Sequence, residues 1–284
     1  MFVSVEILGG LGNHLFQIAL ILHFLKMSQR CNKYRQIVFK YSHDTGNKYN
    51  LPRKTFWKTL FNDQFNVLGN DEFNKINFSM FYEGEHHKFA MLPYDSNDNI
   101  LFKGYFQSFK YIDDDIRQQM INYLYSNKDI FTTSLNKYDL IKQFFGNEIG
   151  DNDMVSLHIR RTDYILESHY HYNLDLDYYK RAIEITGKKY IVIFSDDIEW
   201  CKTNITTDDL NCNAIYFVDI NNVEIEFITM SLFKHNIIAN STFSLWASFI
   251  GSHQDKIVVC PKKWFSHNSS NITELHHKYI THTI

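Results

Sequence analysis

Proline is scarce in this sequence, with three residues in 284, and glycine stops at eleven. That composition excludes a collagen-like or proline-rich scaffold. Cysteine is limited to Cys31, Cys201, Cys212 and Cys260. None of these stands at Cys-X-X-Cys spacing, and Cys201 and Cys212 lack histidine companions at zinc-finger spacing, so no metal centre is expected. The reading is four free thiols in a reducing compartment, set against one or two disulfides in a secreted protein. An excess of one charge is missing too: 29 Lys and Arg oppose 32 Asp and Glu, a net charge of −3. Without a basic field, a nucleic-acid partner is not expected, and an anionic ligand would need a local basic pocket. Long apolar runs are absent. Residues 18–25 are apolar but include His23 and stop at Lys26, far short of a bilayer span. Residues 2–8 have no basic lead-in and contain Glu6, unlike a signal peptide. A soluble, cytoplasmic protein without an integral membrane segment is therefore expected, with transient contact at a membrane surface left open. Sequons at Asn204, Asn240, Asn268 and Asn271 carry little weight where Asn is so abundant.

What the sequence does have is aromatic residues, 24 Phe and 18 Tyr, which exclude global disorder. Its length suits one large α/β domain or two ordinary ones. Residues 2–8 read as a strand, Gly9-Gly10-Leu11-Gly12-Asn13 as a turn, and Leu15, Phe16, Ile18, Ala19, Leu22 and Leu25 as a helix running to about Met27. Residues 37–39 and 101–106 read as further strands and 112–125 as a helix, while 40–93 look irregular. The polar stretch 146–153 is the best domain boundary, giving domains 1–150 and 151–284. Beyond it, strands at 154–159, 190–194, 214–218, 236–239 and 257–260 alternate with helices at 176–186, 196–202, 223–233 and 244–250. That alternation is the signature of a parallel, helix-covered, doubly wound sheet. The tail from Phe265 reads as a surface segment or a packing helix.

Four segments could carry chemistry. Gly9 to His14 stands where a ligand could approach a helix N-terminus, with the polar Asn13 and His14 able to face a cleft; a tight structural turn is an equal reading. The dinucleotide fingerprint fails there, because Leu15 occupies the third glycine position. His158-Ile159-Arg160-Arg161-Thr162-Asp163-Tyr164 follows a buried strand, and two arginines there suit phosphate oxygens or a structural ion pair with Asp163. Ser195-Asp196-Asp197 ends the next strand and could accept from a ribose hydroxyl or a guanine edge, or simply cap a helix. Asn240-Ser241-Thr242-Phe243-Ser244 opens a helix, where small hydroxyl residues cap or bind phosphate. The last three converge at the carboxyl ends of strands in one half of the chain.

Taken together, Gly9 to Gln17, Gly104 to Ser108, His158 to Tyr164, Phe194 to Cys201 and Asn240 to Trp246 resemble, in order, segments of the α-1,2-fucosyltransferases, family 11 of the glycosyltransferases. His14 stands where that family usually has Gln, and Thr162 where it usually has Gly. The resemblance implies two Rossmann-like domains facing across a cleft (GT-B-like), the carboxyl-terminal one holding the donor. It implies inverting transfer of L-fucose from GDP-β-L-fucose to the 2-hydroxyl of a galactose in a glycan acceptor, with no metal and no other cofactor. Arg160 and Arg161 would neutralise charge on the leaving diphosphate, His158 and Asp196 would bind the nucleoside, and Ser241, Thr242 and Ser244 would cradle the phosphates. Gly10, Asn13 and His14 would lie on the acceptor side. The general base is sought among Asp163, Glu167, His169 and His171, with His14 or Asn13 across the cleft, and Asp163 serving as base or as the group orienting an arginine. A fucosyltransferase of another linkage (α-1,6 or O-linked) and a non-catalytic GDP-sugar or glycan-binding module are the alternatives. A phosphoryl-transfer enzyme lacks its glycine–lysine loop and metal carboxylates.

Overall fold

The computed structural model describes residues 1–42, 54–251, 253–267 and 272–284. Sequons Asn268 and Asn271 lie outside them, as does part of the 40–93 stretch. Among the described residues all four cysteines are free thiols. The chain forms two compact units, one running from Met1 to Asn127 and including the turn at Thr273–Leu275, the other taking Lys128 onward.

The first unit holds β1 (Phe2–Val5), α1 (Leu11–Arg30), β2 (Gln36–Ile37), β3 (Phe39–Lys40), β4 (Val67–Leu68), α2 (Asn70–Phe73), β5 (Phe78–Tyr82), β6 (Asn99–Lys103) and α3 (Asp114–Leu124). Its main sheet has the order β2-β1-β6-β5 and is parallel throughout; β3 and β4 form a separate parallel pair. Strand β5 falls in the stretch expected to be irregular. It is an edge strand with exposed Met80 and Tyr82, so it lacks the buried apolar run that marks β1 and β6. Helix α1 buries Leu15, Phe16, Ile18 and Phe24. Its fully buried Gln17 accepts from Leu8 N at 3.1 Å and donates to the carbonyls of Glu6 (3.1 Å) and Gly104 (2.9 Å), fastening the ends of β1 and β6 to the helix.

The second unit holds α4 (Lys128–Phe145), β7 (Met154–Ile159), α5 (Thr162–Leu166), α6 (Leu176–Thr186), β8 (Tyr190–Ser195), α7 (Ile198–Asn204), α8 (Thr207–Leu210), β9 (Ala214–Phe217), α9 (Val223–Ser231), β10 (His235–Ile237), α10 (Thr242–Ile250), β11 (Val258–Cys260) and β12 (His282–Thr283). All six strands are parallel in the order β12-β11-β10-β7-β8-β9. The chain winds outward from β7 through β8 to β9, then returns past β7 to β10 and winds the other way. The order therefore reverses between β7 and β10, and that is where open α/β sheets hold ligands, beyond the carboxyl ends of the strands.

Two expectations are corrected. The boundary is not at 150 but at Asn127–Lys128. Helix α4 belongs to the second unit because it packs on α9: Ser134 Oγ lies 3.3 Å from the Ile225 carbonyl, and the Tyr138 ring meets Phe233 edge-on at 4.9 Å. Residues 146–153 are only the turn from α4 into β7, tied by the Tyr138 hydroxyl to Asp151 at 3.0 Å. The tail, expected as a surface segment or a packing helix, is instead a strand and a short turn built into the fold. It adds β12 to the sheet and places His277 against Ser248 at 2.9 Å, while Glu274 takes Ser108 Oγ at 2.7 Å within the first unit.

Candidate functional site

At the carboxyl end of β7 the backbone turns through Arg160 and Arg161 into the short helix α5. That turn is anchored by Asp196, from the end of β8. Its carboxylate accepts from Arg161 N (2.9 Å), Thr162 N (3.1 Å) and Thr162 Oγ1, and pairs with Arg160 Nη1 (3.2 Å). Asp196 is thus committed to the arginine loop, rather than left free for a ribose or guanine edge. Arg160 Nη2 also pairs with Asp163 at 2.7 Å. Burial opposes the Arg160 charge, but Asp196 and Asp163 outweigh it and raise its pKa. Both contacts are ion pairs made by the guanidinium's outer nitrogens, and a fork of five N–H donors can also meet an incoming oxyanion. Arg161 lies flat on Trp200, 3.3 Å from the ring centroid, and donates from Nε to Asp197 at 3.1 Å.

His158 is buried beside Phe243, at 5.7 Å between rings, and its Nδ1 finds no partner among the described residues. Burial, with Arg160 close by, pulls its pKa down to about 3, so the imidazole is neutral at any working pH. Helix α9 supplies a group that the sequence reading passed over, Glu226. It is partly buried; desolvation and the Asp196 charge, opposed by Arg160, raise its carboxyl pKa to about 8. The signal was present as an acid directly before Phe227 in a helix that packs against the core.

Across the switch point, Ser241 caps α10, its Oγ accepting from Phe243 N at 3.4 Å. Thr242 is half-buried at the first turn, where helix N–H groups are left over. Ser244 does not reach the site: it is buried and its hydroxyl bonds to the Ser241 carbonyl. Asn240 is the tie between the two sides. Its Nδ2 donates to the carbonyls of Tyr172 (2.8 Å) and Trp264 (2.7 Å), and its own carbonyl accepts from the Tyr164 hydroxyl (2.8 Å). Arg160, Arg161, Asp163 and Asp196 are joined directly at the ends of β7 and β8, and His158 meets Phe243 of the helix that Ser241 caps.

In the first unit the glycine turn has a structural basis. Gly9 has φ +77°, and a Cβ there would stand 2.3 Å from Asn13 Nδ2. Gly10 has ordinary extended backbone and its carbonyl accepts from Asn13 N and His14 N. Asn13 accepts from Gln107 Nε2 at 2.8 Å. His14 is a correction: only 1% exposed, it packs in the core at 5.7 Å from the Phe56 ring rather than facing a cleft. The helical register that buries Leu11, Leu15 and Ile18 carries it inward.

The sequence pattern of glycosyl transferase family 11 matches residues 2–279. The chain belongs to that family. Among curated proteins, an O-antigen biosynthesis glycosyltransferase of Escherichia coli, WbnK, is 40% identical over 128 residues, which is 41% of this chain and 40% of that one. An alpha-1,2-colitosyltransferase of Escherichia coli is 33% identical over 124 residues, 41% of this chain and 43% of that one. Each match thus spans about two fifths of the relative's length. Among solved structures, POFUT1 in complex with GDP-fucose aligns over 90% of this chain and 96% of that chain, at 12% identity and a TM-score of 0.48. An Arabidopsis thaliana FUT1 mutant in complex with GDP aligns over 88% of this chain and 68% of that one, at 11% identity and a TM-score of 0.41.

Among the described residues no helix is long and apolar enough to cross a membrane, and no group of three His, Cys, Asp or Glu is placed to hold a metal ion.

Proposed function

We propose that this family 11 glycosyltransferase moves L-fucose from GDP-β-L-fucose to the 2-hydroxyl of a terminal galactose, with inversion and without a metal. The observation that carries the reading is the Arg160 fork at the switch point, only 18% exposed and kept charged by Asp163 and Asp196. The acceptor oxygen attacks the anomeric carbon as the bond from that carbon to the β-phosphate oxygen breaks. The electron pair leaves with GDP, and the acceptor proton passes to a base. Arg160, Arg161 and the first turn of α10 at Thr242 meet the charge that grows on the diphosphate, as preorganised donors do in a site closed to water. Neutral His158 and Glu226 flank the arginine and suit the polar edge of guanine. Asp163, held by Arg160, serves as the orienting group rather than the base.

A second reading of the donor rests on the colitosyltransferase relative: the sugar would be colitose, which lacks the 3-hydroxyl of fucose. GDP release with EDTA present, from GDP-fucose and GDP-colitose in parallel, with and without galactosides, tests both. Acceptor-stimulated release from one donor identifies it; release that needs an added divalent ion overturns the metal-free mechanism.

A further inference from the structure

Beside Arg160 a ladder of rings runs outward along the carboxyl end of the second unit. The guanidinium carbon lies 5.5 Å from the Tyr164 centroid. Tyr164 stacks on His171 at 3.9 Å with an interplanar angle of 3°. His171 meets Tyr170 edge-on at 4.9 Å, and Tyr170 lies 5.2 Å from Phe265. Tyr164 is buried and His171 half-buried, but Tyr170 is 44% exposed, with Ile165 and Leu166 exposed at the end of the preceding helix α5.

That exposure is held rigidly. The loop after β7 pairs with the loop after β11 through a bridge between His171 and Phe265. Tyr172 N donates to the Trp264 carbonyl at 3.2 Å, and Ser266 N donates to the Tyr170 carbonyl at 2.9 Å. Ser266 Oγ sits 2.6 Å from the Ser168 carbonyl and 2.9 Å from that of His171. Asn240 fastens both strands from below. An exposed ring on a loose loop would fold inward to escape water; here the backbone holds it out, and a ligand would not have to pay for its ordering.

We infer that the exposed Tyr170 ring, braced by Phe265 tilted 57° against it, forms a stacking platform for a pyranose ring of the acceptor, the sugar next to the one that receives the transferred residue. A pyranose presents one face of C–H bonds, apolar and slightly positive, which suits the negative face of an aromatic ring. Its hydroxyls point outward to water, which fits a half-exposed platform better than a closed pocket. The platform lies three contacts from the Arg160 guanidinium, through Tyr164 and His171, a reach suited to a neighbouring sugar and not to the reacting one. This assignment rests on the transferase reading above, and it makes the second unit contribute to acceptor choice as well as to donor binding.

The test uses the full chain with GDP-fucose and three acceptors: galactose, lactose and N-acetyllactosamine. Tyr170→Ala and Phe265→Ala are each expected to raise the acceptor KM for the two disaccharides about tenfold, by more than any change in kcat. Galactose, which has no second sugar, is expected to show less than a twofold change. Tyr170→Phe, which keeps the ring, brings the disaccharide KM back toward wild type. Calorimetric GDP affinity and the melting temperature are the controls on donor binding and fold. Disaccharide KM values within twofold of wild type in both alanine variants overturn the platform, as does wild-type protein that binds GDP but transfers to none of the three. Wild-type protein that binds neither GDP nor GDP-fucose overturns the transferase reading instead.

Discussion

Replacing Arg160 separates charge stabilisation from fold. Its side chain is 18% exposed and spans Asp163 at 2.7 Å and Asp196 at 3.2 Å, so it neutralises two carboxylates at once. In Arg160→Ala, Asp196 keeps its bonds from Arg161 N, Thr162 N and Thr162 Oγ1, while Asp163 loses an ion pair in a site where it is only 16% exposed. The stability cost is then about 1–2 kcal/mol, at the lower end for an abandoned charged partner. For a chain of this size that is a fall of about 2–8 °C in melting temperature. The catalytic cost is larger. Removing a preorganised donor from a developing oxyanion lowers kcat by about 10²–10³. Arg160→Lys sharpens the test, because a single ammonium keeps the charge but cannot bridge both carboxylates and reach a phosphate as well. It should fold near the wild-type melting temperature yet lose at least about tenfold in kcat. The assay is continuous GDP release at saturating donor and acceptor, with calorimetric GDP affinity and a thermal melt on the same preparations. A folded Arg160→Ala enzyme with kcat within threefold of wild type would refute the assignment of the charge-stabilising role.

Other outcomes follow from the same geometry. Asp163→Asn should lower kcat about tenfold through a less well held Arg160 while leaving the pH profile of kcat in place; disappearance of the limb that reports the base would make Asp163 the base after all. Glu226, with a carboxyl pKa raised from the usual 4.5 to about 8, favours the protonated form in the fold, so its contribution to stability is lost as pH rises through about 8. If guanine draws a carboxylate there, GDP binding at pH 7 releases close to one proton, readable by calorimetry in buffers of different ionisation enthalpy, and Glu226→Gln abolishes the release; a wild-type value near zero would sink the guanine contact. His87, His158 and His235 are buried and held near pKa 4, 3 and 4. Each must take up a proton on unfolding below pH 6.5, so stability falls as pH drops from about 6.5 toward 4, by up to about 1.4 kcal/mol per group per pH unit. Denaturant midpoints that stay flat across that window would contradict the buried, neutral state of all three. Gly9→Ala meets Asn13 Nδ2 at 2.3 Å with φ +77°, and should destabilise the first unit by about 1–3 kcal/mol in a denaturant melt, whereas Gly10→Ala costs less.

Residue pattern alone prescribed the parallel sheet of the second unit. Strands β7, β8 and β11 are buried almost throughout and read as largely apolar runs, and helix α6 was legible to both ends because Asp175 caps it, accepting from Tyr178 N, and Gly187 closes it at φ +65°. It also determined that arginines, an acid and hydroxyls would gather at strand ends, because parallel βα units place every such end on one side. It did not reveal β5, whose edge position leaves no apolar run, nor that α4 belongs with the second unit, because a two-sided helix carries no label for its partner. Which candidates turn inward and which stay at the strand ends depends on three-dimensional packing. His14 and Ser244 are polar residues with plausible neighbours in sequence, yet helical register turns both inward. Asp196 has the chemistry to bind a ligand, but three local donors and Arg160 claim it first. Glu226 and Asn240 are the converse: one looked like an ordinary helix acid and the other like a cap. Their roles depend on which strands lie side by side, and the order β10-β7-β8 joins elements that lie far apart along the chain, beyond the reach of any local pattern.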